Sequence, residues 1–225
     1  IGGELFMANS KPKITLSAAI TLDGKIGQKN KHIVLSSKSD KIRVHKLRAK
    51  SDAILVGKNT VQQDDPLLTV RYTKGKNPIR IILDSHGTIN NNSRIIKTCK
   101  RVPTIIVVSE LVSKSNLNRL EKLSLDVIVC GKNQVNITKL LSILSKKGIK
   151  TILLEGGGTL NRSFLKKNLI DEMIIALTPY VLGSENTIDL FDGVSFPQQK
   201  TKLPLKLKNI QKSGNEIILN YKFYH

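Results

Sequence analysis

The hydrophobic pattern of the chain changes period several times between its ends. Residues 14–20 read as a strand, and residues 38–49 as a helix with Ile42, His45 and Leu47 near one face. Apolar residues 53–56 form a buried strand, and Pro78 introduces another at 79–83. Strands at 104–108 and 127–129 flank a polar helix at 115–123. A helix at 137–145 ends at Gly148, a residue suited to a left-handed cap, and a strand at 151–154 follows. The series continues with a helix at 159–167 and a strand at 172–177 stopped by Pro179. The end differs: 205–211 and 216–223 flank Ser213 and Gly214, which signals a hairpin. Strands alternating with helices predict an α/β fold, a mostly parallel central sheet with helices on both faces and a C-terminal antiparallel hairpin. There is no internal repeat and no low-complexity linker, so residues 11–225 read as a single domain. Residues 1–10 read as a leader, vector-derived or otherwise non-native up to Phe6, because Met7-Ala8 is a natural start.

Composition narrows the class. The chain has 225 residues, 40% of them hydrophobic and 24% charged, which fits a globular protein with a sizeable core. No apolar run reaches the ~18 residues of a membrane span and no secretory signal is present, so the expected location is the cytoplasm. The two cysteines, Cys99 and Cys130, stand far apart without a CxxC, read as ordinary buried thiols, and no metal site is expected. The net charge of +20 invites a nucleic-acid partner. Against that, the lysines are dispersed, aromatics are only 4% and tryptophan is absent, so a base-stacking platform is poorly supplied. A Lys-rich solvated surface, or a field that attracts small anions, explains the charge as well.

Two loops carry candidate chemistry, each after a strand. In Glu155-Gly156-Gly157-Gly158-Thr159 the glycines let backbone N–H groups approach a ligand, and the helix that follows favours phosphate at its start. A tight strand-to-helix turn is the plainer alternative, since the spacing is neither GxGxxG nor GxxxxGK[ST]. Glu155 sits at the C-terminal end of its strand, where open α/β sheets bind ligands, or it caps local amides. The second loop, Gly57 to Arg71, is dense in polar residues. Thr60 and Asp64 share a face if this is a helical turn, and Arg71 can grip a phosphate with two parallel bonds. Asp64 and Asp65 also suit helix caps, and Asp23 suits a plain Asp-Gly turn.

Five stretches, taken together and in order, carry a resemblance. They are Thr21-Leu22-Asp23-Gly24-Lys25, Arg43-Val44-His45-Lys46-Leu47-Arg48-Ala49, the Gly57 to Arg71 cluster, Asn77-Pro78-Ile79-Arg80-Ile81-Ile82-Leu83-Asp84-Ser85 and Leu154-Glu155-Gly156-Gly157-Gly158-Thr159-Leu160-Asn161. They resemble the pyrimidine reductases of riboflavin biosynthesis, and the stand-alone archaeal type more than the bacterial type fused to a zinc deaminase. The resemblance implies a dihydrofolate-reductase-like fold, a homodimer, and NADPH-dependent reduction of a ribosylamino group on a phosphorylated diaminopyrimidinone, with NADH also accepted. The alternatives are a deaminated pyrimidine or a pteridine as substrate, or, in another class, a basic nucleic-acid-binding α/β protein.

By the same resemblance Thr60, Asp64, Asp84, Ser85, His86, Val135, Gly157, Gly158, Thr159 and Leu160 belong to the cofactor, with His86 near its 2′-phosphate. Arg48, Leu68, Arg71 and Glu155 belong to the substrate, the arginines suiting its 5′-phosphate. Glu155 is also the catalytic candidate, stabilising an iminium or relaying a proton. His45 reads as a packing or surface histidine.

Overall fold

In a computed structural model, residues 11–183, 185–193 and 202–224 are described, and the leader at 1–10 lies outside them. The chain runs β1 (Lys13–Ile20), β2 (Lys25–Gln28), α1 (Lys38–Lys50), β3 (Ala53–Gly57), α2 (Lys58–Asp64), β4 (Ile79–Leu83), α3 (Arg94–Lys97), β5 (Thr104–Val108) and α4 (Lys114–Glu121). It continues β6 (Asp126–Val129), α5 (Ile137–Lys146), β7 (Thr151–Leu154), α6 (Gly158–Lys166), β8 (Glu172–Leu177), β9 (Thr187–Asp189), β10 (Leu205–Ser213) and β11 (Glu216–Phe223). Nine strands form one sheet in the order β10-β11-β8-β1-β7-β3-β4-β5-β6, and β2 pairs with β9 apart from it. From β8 to β6 every pairing is parallel, while β11 runs antiparallel to both β8 and β10.

The continuous apolar runs have a direct cause: the central strands bury both faces. Ala53, Leu55, Ile81, Ile105 and Val107 enter one core, shared with Leu140, Leu141 and Leu144 of α5 and Phe164 and Leu165 of α6. Their alternates Ile54, Val56, Ile82, Ile106 and Val108 enter a second core with Val61 of α2, Ile95 and Ile96 of α3 and Leu120 of α4. The helix α1 departs from this scheme. Its fully buried residues are Asp40 and His45, whereas Ile42 and Leu47 are only half-buried. The residue named from its period as packing, His45, is buried, but it lies among polar partners.

Strand β4 also carries a buried cation. Arg80 has no exposed surface and donates to Thr104 Oγ1, Thr98 Oγ1 and the carbonyls of Leu67, Ile95 and Val102, at 2.7–3.2 Å. Burial lowers its pKa to about 10, still well above neutral pH. Through Leu67 it pins the loop that follows α2. There Leu68 is itself buried and held at φ 51°, a left-handed conformation that costs a branched residue about 1–2 kcal/mol.

Candidate active site

Parallel strands all point their C-terminal ends to one edge, and at that edge β3, β4 and β7 open onto a cleft of about 1920 Å³. A single small ligand needs roughly 300–1,000 Å³, so this cleft has room for two. Its walls include Arg48 of α1, the start of α2, the loops after β4 and β7, and the loop after β2.

The floor is made where β3 and β7 end side by side. Gly57 N donates to the Gly156 carbonyl at 3.0 Å, and Gly157 N donates to Thr60 Oγ1 at 2.9 Å. The peptide between Gly156 and Gly157 is cis, and Gly156 has φ 89°. The glycines serve different ends. A Cβ at Gly157 would meet only Thr60 Oγ1, at 3.4 Å, so its bare backbone faces open cleft. A Cβ at Gly158 would collide with the Asp189 carbonyl and the Asp192 side chain, so that glycine makes room for a protein turn. Thr159 Oγ1 donates to Asp192 Oδ2 at 3.3 Å.

At one end of the cleft stands a buried ion pair. Arg48 Nε donates to Glu155 Oε1 at 2.8 Å and Nη2 to Oε2 at 2.7 Å, with side-chain exposures of 11% and 13%. Arg48 Nη1 adds a bond to the Thr69 carbonyl at 3.1 Å. Burial alone would lower the arginine's pKa, but the Glu155 carboxylate more than offsets it, and the net shift is upward. The expectation that both arginines suit a phosphate therefore divides. Arg48 is occupied with Glu155, whereas Arg71 has no carboxylate partner among the described residues. Arg71 reaches only Thr69 Oγ1 at 3.4 Å and lies 6.0 Å from the Tyr72 ring centre. Burial, then the nearby charge of Arg48, lower its pKa, as befits a cation lacking a counter-charge.

His45 holds this corner together. Its Nδ1 accepts from Arg71 N at 2.7 Å and from Tyr72 N at 3.3 Å, and its ring meets Tyr72 edge-on at 4.6 Å. Burial, then the charges of Arg48 and Arg71, push its pKa from 6.5 down to about 4, although Glu155 pulls the other way. The folded protein thus favours neutral His45, and the unfolded chain binds the extra proton between pH 6.5 and 4. Stability from this group is complete above pH 6.5 and lost as pH falls toward 4, on the order of 3 kcal/mol in all. Urea unfolding at pH 7.5 and 4.5 is expected to show that loss in the wild type and a smaller one in His45→Asn.

The remaining residues expected to serve a cofactor lie along the cleft, and several are committed to the protein. Asp84 is buried, with Oδ2 accepting from Ile89 N at 2.7 Å and Oδ1 from Thr88 Oγ1 at 3.4 Å, so its carboxylate shapes the loop after β4. Ser85 Oγ accepts from Val135 N at 3.3 Å, which joins two of the predicted positions, and exposed His86 and half-buried Leu160 line the same cleft. Thr60 and Asp64 do share α2, but they do not converge on one free spot. Asp64 Oδ1 pairs with His32 Nδ1 at 2.9 Å. Asp65 caps two helices, as the left-handed end of α2 and as acceptor for Arg94 N, at 2.7 Å, at the start of α3. Asp23 is more than a turn residue. Its carboxylate accepts from Thr21 Oγ1, Gly183 N and Leu182 N, bonds that lower its pKa to about 2.

Sequence reasoning did not single out the loop after β2, which brings Lys31, His32 and Ile33 to the cleft, nor Asp40 and Lys58 on its walls. That loop is tied to α2 by His32 pairing with Asp64 and by Gln63 Nε2 donating to the Lys31 carbonyl at 3.4 Å, each partner 32 residues away in the chain. Among the described residues no three His, Cys, Asp or Glu side chains gather as a metal site, and no helix is long and apolar enough to cross a membrane.

Known proteins place this architecture. A protein from Aquifex aeolicus called 2,5-diamino-6-ribosylamino-4(3H)-pyrimidinone 5′-phosphate reductase is 34% identical over 94% of this chain and 96% of its own length. One of the same description from Methanothermobacter thermautotrophicus is 36% identical over 94% of this chain and 98% of its own. The solved RibD of Acinetobacter baumannii superposes with a TM-score of 0.80 at 25% identity, covering 96% of this chain and 59% of that one. The sheet order, with its C-terminal antiparallel strands, is thus the dihydrofolate-reductase-like arrangement of RibD-type reductases. The family model of the RibD C-terminal domain matches residues 12–219, and with relatives this similar along nearly their whole length, the chain belongs to the RibD C-terminal domain family.

Proposed function

We propose that this protein reduces 2,5-diamino-6-ribosylamino-4(3H)-pyrimidinone 5′-phosphate to its ribitylamino product with NADPH, working as a homodimer. The observation that carries this reading is one cleft with two unlike surfaces. An arginine without a counter-charge, Arg71, stands beside the Arg48–Glu155 pair at one end, and a bare glycine backbone, Gly157, lies on the floor. The first suits a phosphorylated sugar and the second suits a dinucleotide.

Thr60 fixes the Gly157 backbone, and Ser85 and Val135 line the same cleft, so these residues would hold the cofactor. A bound nicotinamide supplies the hydride that C1′ of the sugar receives. Before that, the C1′–O4′ bond breaks as a C1′=N bond forms, and O4′ takes a proton. Arg71 binds the 5′-phosphate and so keeps the opened sugar from swinging away. Glu155 has one bond from Arg48 on each oxygen, which leaves lone pairs for the positive charge that develops at the imine nitrogen. Arg48 positions that carboxylate.

Arg71→Met is the sharpest test of the phosphate assignment. KM for the phosphorylated substrate is expected to rise about 30-fold, the worth of a charge-assisted bond of about 2 kcal/mol, with kcat little changed. KM for the same compound without its phosphate should barely move. An equal rise for both compounds would contradict the assignment.

A further inference from the structure

Asp40 lines the cleft, yet neither the ion pair nor the glycine floor uses it. Its side chain has no exposed surface, and Oδ1 accepts from Arg43 Nε at 2.7 Å. Oδ2 is buried with no hydrogen-bond partner among the described residues. Leaving a carboxylate oxygen in that state costs at least about 1–3 kcal/mol, so a native structure keeps one where something else supplies the donor.

The position indicates what that donor is. Asp40, Val44 and Arg48 are spaced four apart on α1 and all line the same cleft. Asp40 therefore stands two turns, about 12 Å along the helix, from the arginine that holds Glu155. If Glu155 serves the atoms around C1′, a ring attached there extends along this wall toward Asp40. Arg43, the cation behind Asp40, does not border the cleft; it donates to Asp40 and, at 3.4 Å, to Ser17 Oγ, while its Nη1 is buried without a partner among the described residues.

We propose that the Asp40 side chain turns toward the cleft when substrate binds, so that Oδ2 accepts a hydrogen bond from the 2-amino group of the pyrimidinone ring, and that this bond selects the diamino substrate over its deaminated counterpart. The proposal rests on the reductase reading above. The two rings share N3–H and the 4-carbonyl; they differ at C2, which carries NH₂ in one and a carbonyl oxygen in the other, and at N1, which carries a hydrogen only in the deaminated ring. An amino group donates to Oδ2 and satisfies it. A carbonyl oxygen places acceptor against acceptor, leaving both unpaired in a buried setting, and sites of that kind reject the wrong ligand strongly.

Steady-state kinetics with both phosphorylated substrates, and calorimetric binding of the two stable ribitylamino products, test this on the wild type, Asp40→Asn and Arg43→Lys. Wild type is expected to favour the diamino compound by at least about 10–100-fold in KM and in product affinity. Asp40→Asn puts a donor amide in place, so KM for the diamino compound should rise about 10–100-fold, KM for the deaminated one should fall, and kcat should stay within a few fold. Arg43→Lys should keep the wild-type preference, because both the carboxylate and its counter-charge remain.

Asp40→Asn shifting both compounds by one factor would overturn the proposal, as would Arg43→Lys abolishing the preference. If Asp40→Asn does not fold, Asp40→Glu decides: it keeps the charge opposite Arg43 but moves the oxygen, and should weaken only the diamino compound. A wild type that turns over both compounds with equal KM sinks the Asp40 proposal and leaves the reductase reading standing. A wild type inert to both sinks the two together.

Discussion

Glu155→Ala is expected to lower kcat/KM by at least about 1,000-fold and to destabilise the fold by about 3–5 kcal/mol. The second figure follows from removing one member of a buried pair, since Arg48 then keeps its charge without a partner. The first follows from losing the carboxylate at the cleft that can face a developing cation, an effect worth about 4 kcal/mol at a pre-organised site. The double variant Arg48→Met, Glu155→Leu separates the two contributions. Replacing both partners by apolar groups leaves no buried charge, so most of the stability should return while the activity does not. Urea melts and initial rates on the three proteins measure this. Activity returning together with stability would reduce Glu155 to a purely structural residue.

Gly157→Val is expected to cost at least about 100-fold in NADPH affinity while the melting temperature moves by only a few degrees. Space is the reason. A first carbon at Gly157 makes one ordinary contact, with Thr60 Oγ1 at 3.4 Å, and the backbone there has φ −69°, which any residue adopts. The two further methyl carbons must then enter the cleft. The adjacent Gly158→Ala is the contrasting control. Its single methyl runs into the Asp189 carbonyl and the Asp192 side chain, so that variant should lose stability first. NADPH fluorescence titration alongside thermal melts distinguishes the two behaviours, and unchanged affinity in Gly157→Val would remove this glycine from the cofactor floor.

The parts of the fold that could be read from the chain share a cause. Strands 79–83, 104–108, 151–154 and 172–177 coincide with β4, β5, β7 and β8, because strands buried on both faces show near-continuous apolar runs with sharp ends, interrupted here only by the buried Arg80 of β4. The elements that went unread are the short ones: β2, β9 and α3 span four residues or fewer, too few to display a period. Helix α1 had a legible start and end but not a legible face, since what it buries is polar. The site was readable as a set of residues and not as a set of partners. Arg48 and Glu155 both pointed to the substrate, yet their mutual pairing spans 107 residues of chain and has no local signature. The same holds for Asp64 with His32, and for Asp84, whose carboxylate turns back onto its own loop.

The most direct measurement follows NADPH absorbance when the purified protein meets freshly generated 2,5-diamino-6-ribosylamino-4(3H)-pyrimidinone 5′-phosphate, with the deaminated analogue in a parallel cuvette. Loss of absorbance with the diamino compound, saturable and accompanied by the ribitylamino product, is the expected result. Steady absorbance with both compounds, from protein shown to be folded, would contradict the assignment of this cleft as a pyrimidine reductase site.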